Sequence, residues 1–338
     1  MPCHAAIASM SLGRAAQHDL TNKLNQARKY GFKGIELFYE DIEHFASQMI
    51  GGATETNIEL ASKKIWKLCD ERDITIICLQ PFMHYEGLKD RKEHERKIEK
   101  MRFWLRLAKI LRTDIIQIPS NFLPKEQITD NMDVIVSDLR QVADMGAQQT
   151  PVIRFAYESL CWGTYIDTWE ACWDVIQRVD RPNFGACLDT YNICGRIYAD
   201  PTSPDGMNPN ADEEVEASIQ RMIERIEADK VFFVQVVDAE RLKQPLLPGH
   251  EFYNEDQPSR MSWSRNCRLF YGEAEEGAYL PIKRVIDAWL NDIKYEGWVS
   301  MELFNRCMAY PEADIPEQLA RRGAVAWNKM VHDFGIEA

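Results

Sequence analysis

Glu158, Asp189, Gln235 and Glu302 are the residues of this chain whose types and positions could do chemistry together. Each ends a short apolar run: Val152-Ile153-Arg154-Phe155-Ala156-Tyr157-Glu158, Asn183-Phe184-Gly185-Ala186-Cys187-Leu188-Asp189, Val231-Phe232-Phe233-Val234-Gln235 and Trp298-Val299-Ser300-Met301-Glu302. Apolar runs of this length read as buried parallel strands. A carboxylate at the C-terminal end of such a strand stands where α/β barrels put their chemistry, so the four would share one rim. Three carboxylates brought together repel, and one takes up a proton unless a cation sits among them. With an amide oxygen they make an all-oxygen site, which suits Mg²⁺ or Mn²⁺ better than Zn²⁺, a metal that favours nitrogen and sulfur. Co²⁺ belongs with them in a trial of metals. An acid after a strand also reads as a helix N-cap, but four polar residues at four consecutive strand ends make the metal site the stronger reading.

Those strand ends need a frame. A first strand is expected at 4–9, then a helix over about 19–30 with Asp19 as N-cap and Gly31 where the helix stops. Further strands fall at 34–38, with Tyr39 and Glu40 at its upper end, at 75–79 and at 114–118. Helices are expected near 54–72, 89–111, 125–146, 168–179, 214–228 and 315–334, and Pro281 is placed to open another at its first turn. Residues 196–213 hold three prolines and a glycine and read as a loop. The stretch 239–277 shows no helical period, and loops of that length are uncommon unless they cover a site. Strand and helix thus alternate eight times, which argues for one parallel (β/α)8 barrel, a TIM barrel, occupying 1–338 as a single domain with a long loop insertion around 239–277.

Bulk properties narrow the function. The 338 residues carry a formal net charge of −13, which disfavours nucleic acid and anionic membrane as partners. Hydrophobic residues make up 45% of the chain without a run long enough to span a bilayer. No secretory signal pattern opens the sequence. Nine cysteines, an odd number without a Cys-x-x-Cys pair, argue for reduced thiols and a cytoplasmic protein. Oligomeric state stays open.

The order Glu158, Asp189, Gln235, Glu302 resembles the xylose isomerase-like barrel family, whose usual ligands are Glu, Asp, His, Glu on strands five to eight. More narrowly, Leu79-Gln80-Pro81-Phe82, Ala156-Tyr157-Glu158-Ser159-Leu160-Cys161-Trp162-Gly163, Leu188-Asp189-Thr190 and Val234-Gln235-Val236-Val237-Asp238-Ala239-Glu240 look like the 3-dehydroshikimate dehydratases of fungal quinate catabolism. Glutamine in the third ligand slot is the most telling detail. A departure is Asn192, where the family often has histidine three residues after the strand-six aspartate. The resemblance implies conversion of 3-dehydroshikimate to protocatechuate and water, with the metal stabilising the enediolate formed as a proton leaves.

That chemistry needs a base and a group to bind the substrate carboxylate. His84, in the loop after strand three, is the first choice for the base because imidazole suits proton transfer near neutral pH; Glu36, read at the end of strand two, is the second. A carboxylate favours arginine. Arg241 lies six residues after Gln235, where related epimerases carry a substrate-binding arginine, and Arg260, Arg265 and Arg268 follow in the long loop. Tyr39, Phe82 and Trp162 are candidates to wall the ring, Gln80 and Asn192 to contact substrate, and Asp238 to support a ligand from behind. The rival reading is a sugar isomerase or epimerase, which shares the enediolate step on the same barrel. A nuclease would need metal-binding histidines that these strand ends lack.

Overall fold

The computed structural model describes residues 2–337. Eight short apolar segments form the parallel strands of a closed barrel: β1 (Cys3–Ala8), β2 (Gly34–Phe38), β3 (Thr75–Gln80), β4 (Ile115–Pro119), β5 (Arg154–Glu158), β6 (Phe184–Asp189), β7 (Val231–Gln235) and β10 (Gly297–Met301). They follow one another around the barrel in chain order, and β10 closes on β1. Every residue of β2, β4 and β6 is buried, as continuous apolar runs covered on both faces require. Two further strands, β8 (Asp238–Ala239) and β9 (Arg268–Leu269), make a small antiparallel pair outside the barrel.

The apolar interior falls into two parts. Ala6, Ile77, Cys78, Ile115, Ala156, Cys187 and Phe233 pack inside the barrel below the strand ends. A larger apolar layer lies between strands and helices. Gly185 shows how tight the wall is: a Cβ there would stand 2.4 Å from the Lys230 carbonyl oxygen. Helices close with side-chain caps where expected. Asp19 accepts from the Asn22 N–H at the start of Leu20–Lys29, and Gly31, at φ 88°, follows that helix. Among the described residues no helix is long and apolar enough to cross a membrane.

Several expectations need correction. The stretch 239–277 carries a helix, Ser259–Cys267, together with β8 and β9. Its inward residues include Ser262 and Ser264 beside Met261, Trp263 and Cys267, so buried serines hide the apolar period. A helix, Tyr39–Ser47, begins directly at the end of β2, and another, Thr190–Ile197, begins directly at the end of β6. The helix expected over 125–146 starts only at Met132, capped by Asn131. Pro281 caps Ile282–Asp287 from outside its first turn. Glu36 lies in the middle of β2.

Candidate active site

Glu158, Asp189 and Gln235 are the last residues of β5, β6 and β7, and Glu302 follows β10. Parallel register sets them side by side, with Gln235 level with Asp189 on one flank and with Ser300 on the other. Glu158, Asp189 and Glu302 each present an oxygen within 4.8 Å of the others, and all three are buried.

Each of these groups is oriented by a partner. Glu158 accepts from Gln117 Nε2 and, at 2.8 Å, from Asn192 Nδ2. Asp189 accepts from the Asn192 N–H at 3.0 Å and from Arg268 Nη1 at 2.7 Å. It is therefore helix cap and site member at once, and the two readings of its position do not compete. Glu302 accepts from Arg268 Nη1 at 3.0 Å and from Gln80 Nε2 at 3.3 Å. Beneath them, Glu36 Oε2 receives Gln80 Nε2 at 2.6 Å and Gln235 Nε2 at 2.8 Å. With its amide nitrogen so committed, Gln235 Oε1 accepts, among the described residues, only from the Cys187 thiol, at 3.4 Å.

The cluster is short of positive charge. Glu36, Glu158, Asp189 and Glu302 are 3% exposed or less, and Arg268 is the guanidinium set among them. Burial, then the charge of Glu302, raises the Glu36 pKa well above the usual carboxylate range. Burial, then Glu302 and Asp189, does the same to Glu158. Burial pushes Glu302 up to about 7 although Arg268 opposes it. Burial works against the charge of Arg268, and Asp189 with Glu302 more than offset it. Crowded acids of this kind ionise together only with a cation present. Hard oxygen donors in a buried group of three, with an amide oxygen that lacks a strong donor, fit a divalent metal ion.

A cavity of about 360 Å³ opens above this floor. Gln80, Gln117, Glu158, Glu302 and Arg268 line its base, Phe38, Phe122, Trp162 and Phe304 its sides, and Arg14, Glu40, Met83 and Arg265 also border it. Of the residues expected from sequence to contact substrate, Gln80, Trp162 and Arg265 therefore face it. Asn192 holds Glu158 from behind and receives the Cys161 N–H on Oδ1, so it positions a site residue and does not contact the cavity.

Others stand elsewhere. His84, with φ 59°, bonds through Nδ1 to Asn121 Oδ1 at 3.2 Å, packs on Phe122, and lines a separate hollow with Lys89, Glu93 and Lys97. The structure does not bring it to the carboxylates. Tyr39 stacks on Trp104, and Phe82 packs between Trp104 and Tyr85, both away from the cavity. Arg260 donates to the Gly195 and Ala199 carbonyls and to Asn208, while Arg241 lies over Tyr279. Asp238 accepts the N–H groups of Ala239, Tyr279 and Leu280 and braces β8. Several residues of the cavity, among them Gln117, Phe38, Phe122, Phe304 and Arg14, have no role assigned from sequence, and Arg268 has none of its own. Arg268 was one of several loop arginines. Arg14, in the turn after β1, carried the signal that it follows a strand at the catalytic face.

The family model for the xylose isomerase-like TIM barrel matches residues 24–327. The chain belongs to this family. The 3-dehydroshikimate dehydratase of Neurospora crassa is 59% identical over 99% of this chain and 96% of its own length. The 3-dehydroshikimate dehydratase of Pseudomonas aeruginosa is 27% identical over 89% of this chain, which spans only 38% of that longer protein. Among solved structures, a xylose isomerase-like TIM barrel/4-hydroxyphenylpyruvate dioxygenase fusion protein superposes with a TM-score of 0.74 at 22% identity, covering 99% of this chain and 43% of that one. The fusion protein shares this fold, and the three-carboxylate floor lies where such barrels carry their chemistry.

Proposed function

We propose that the protein is a metal-dependent 3-dehydroshikimate dehydratase, a hydro-lyase that releases protocatechuate and water. The observation that carries this reading is full-length similarity, at 59% identity, to a protein of that activity, in a chain whose barrel mouth holds a buried three-carboxylate floor under a small aromatic-walled cavity. A divalent ion on Glu158, Asp189, Gln235 and Glu302, Mg²⁺ or Mn²⁺ by the chemistry of the donors, would supply Lewis acidity where negative charge develops on the substrate oxygens.

The chain's own residues do the rest. Gln117 and Asn192 fix the two oxygens of Glu158, and Gln80 and Arg268 fix those of Glu302. Glu36 sets the amide of Gln235 through Nε2. Glu158 and Glu302 are the buried carboxylates bordering the cavity, so the carbon beside the substrate ketone loses its proton next to the ion they would hold, and that proton leaves with the departing hydroxyl as water. Loss of the neighbouring hydroxyl and tautomerisation then give the aromatic ring. Phe38, Phe122, Trp162 and Phe304 give that flat ring an apolar wall and exclude water from the elimination. The nine cysteines are all free, which suits a reducing, cytoplasmic setting.

The test is direct. Chelator-stripped protein is given 3-dehydroshikimate, and the ultraviolet absorbance of protocatechuate is followed before and after adding Mg²⁺, Mn²⁺ or Co²⁺. Metal-dependent product is expected. No product with any of the three would sink the reading and direct the search to ketoses.

A further inference from the structure

Sequence picks out His84 for chemistry, and the structure places it away from the carboxylates in a backbone conformation that needs a reason. Among the described residues six non-glycine residues have positive φ. Five of them, Asp73, Arg112, Asp180, Asn210 and Lys294, flank helix ends. His84, at φ 59°, lies instead within the loop between β3 and the helix Arg91–Leu111. A side chain in the left-handed region is crowded by its own backbone, so neighbouring groups must hold the turn.

Asn121 holds it. This residue is 5% exposed, and its bonds fix it from several sides. Its N–H donates to Glu86 Oε1 at 2.6 Å and Nδ2 to the Glu86 carbonyl at 2.8 Å, and its own carbonyl accepts from the Thr164 N–H at 3.0 Å. Because Nδ2 donates to a carbonyl, Oδ1 is the atom that faces His84, and the imidazole donates to it from Nδ1 at 3.2 Å. Burial lowers the His84 pKa, against the Asn121 bond, so the ring is neutral near pH 7. The loop is pinned on either side of His84: Lys97 Nζ donates to the Met83 carbonyl at 3.0 Å, and the Tyr157 hydroxyl to Glu86 Oε1 at 3.0 Å.

So fixed, the imidazole packs edge to face with Phe122, at 4.4 Å between ring centroids and 62°. Phe122 in turn meets Trp162 at 6.5 Å and 68°. Phe122 and Trp162 border the cavity, while His84 lies behind them in its separate hollow. Edge-to-face contacts set the mutual tilt of rings, and a wall ring without backing is free to turn.

We propose that His84 is a positioning residue: its imidazole, held by Asn121, backs Phe122 from outside the cavity and sets the tilt of the aromatic wall that receives a flat ring. That such a ring is made there by dehydration rests on the dehydratase reading; that the wall is set from behind rests on the three rings.

The test compares two probes on the full chain loaded with Mn²⁺. Protocatechuate has a flat ring, and cis-3,4-dihydroxycyclohexane-1-carboxylate carries the same substituents on a saturated one. Both are titrated calorimetrically into wild type, His84→Ala, Phe122→Ala, the double variant and His84→Phe, beside KM and kcat with 3-dehydroshikimate. His84→Ala should weaken protocatechuate roughly threefold to tenfold and the saturated acid much less. The double variant should bind protocatechuate no worse than Phe122→Ala, because the imidazole acts through that ring. His84→Phe, which keeps a ring, should recover part of the loss, and in His84→Ala KM should rise more than kcat falls. Unfolding midpoints check the fold. Should His84→Ala not fold, His84→Asn, which takes the left-handed turn readily and has no ring, replaces it. Additive losses in the double variant, equal losses for the two acids, or no loss in His84→Ala would overturn the role. So would a fall in kcat of roughly 10²–10⁴-fold with protocatechuate affinity intact, the mark of a general base. Should the wild type make no product, the dehydratase reading fails alone, and the role of His84 is decided by the binding cycle: losses shared with Phe122 uphold it, and independent losses refute it.

Discussion

The floor and the mouth of the cavity use the same kinds of charge in opposite ways. On the floor, Glu36, Glu158, Asp189, Glu302 and Arg268 are buried, and amide or guanidinium donors fix each carboxylate. At the mouth, Arg14, Glu40 and Arg265 are partly exposed and bonded loosely or to neutral groups. Charges in low dielectric act strongly on one another and cannot be removed singly without leaving a partner unbalanced. Charges at the rim are screened and tune affinity. The difference teaches that turnover should be lost at the floor and adjusted at the mouth.

The sharpest way to break that contrast is at the floor itself. Asp189→Asn or Glu302→Gln should abolish turnover in the protocatechuate assay while far-ultraviolet circular dichroism shows the barrel intact. Full activity with metal still bound would remove these residues from the site. One layer out, Asn192→Ala frees one oxygen of Glu158. It should weaken metal binding roughly tenfold to a hundredfold, measured by competition with a chromogenic chelator. An unchanged affinity would mean that Glu158 needs no help from that side.

His84 tests the boundary of the site. It points to a hollow other than the cavity, so His84→Ala should lower kcat by far less than the roughly 10²–10⁴-fold expected for loss of a general base. A loss in that range would show that the loop turns the ring inward during catalysis.

The smallest effect concerns stability. Glu86, buried outside the cavity wall, accepts from the Asn121 N–H and the Tyr157 hydroxyl, and burial pushes its pKa from 4.5 to about 7. A carboxyl whose folded pKa lies above its unfolded value stabilises the fold fully below about pH 4.5, and that contribution is lost as pH rises through about 7. The full swing is on the order of 3 kcal/mol. Glu86→Gln should flatten the fall in unfolding midpoint between about pH 5 and about pH 8. An identical slope in wild type and variant would place the pH dependence elsewhere.

Much of this was legible in the chain. Continuous apolar runs ending in acids marked the strands and the rim that carries Glu158, Asp189, Gln235 and Glu302, because a buried parallel strand must be apolar throughout and must end where polarity begins. Helix Ser259–Cys267 was hidden because its inward serines satisfy Gln257 and Arg268 and break the apolar period. His84 looked like a base because loop position and residue type do not say which way a ring points; a left-handed backbone and the Asn121 bond turn it away from the carboxylates.

Sequence alone thus determined the barrel, the acidic floor and the chemistry that floor can support, since local apolar runs and residue types set those. Tertiary structure decided which arginines matter. Arg268 is carried into the floor by β9, and Arg260 is spent on backbone carbonyls. Arg14 and Arg265 meet at one cavity from distant parts of the chain. Long, flexible, uniformly charged side chains leave no periodic trace in a sequence, so only the closure of the barrel brings them to a common place.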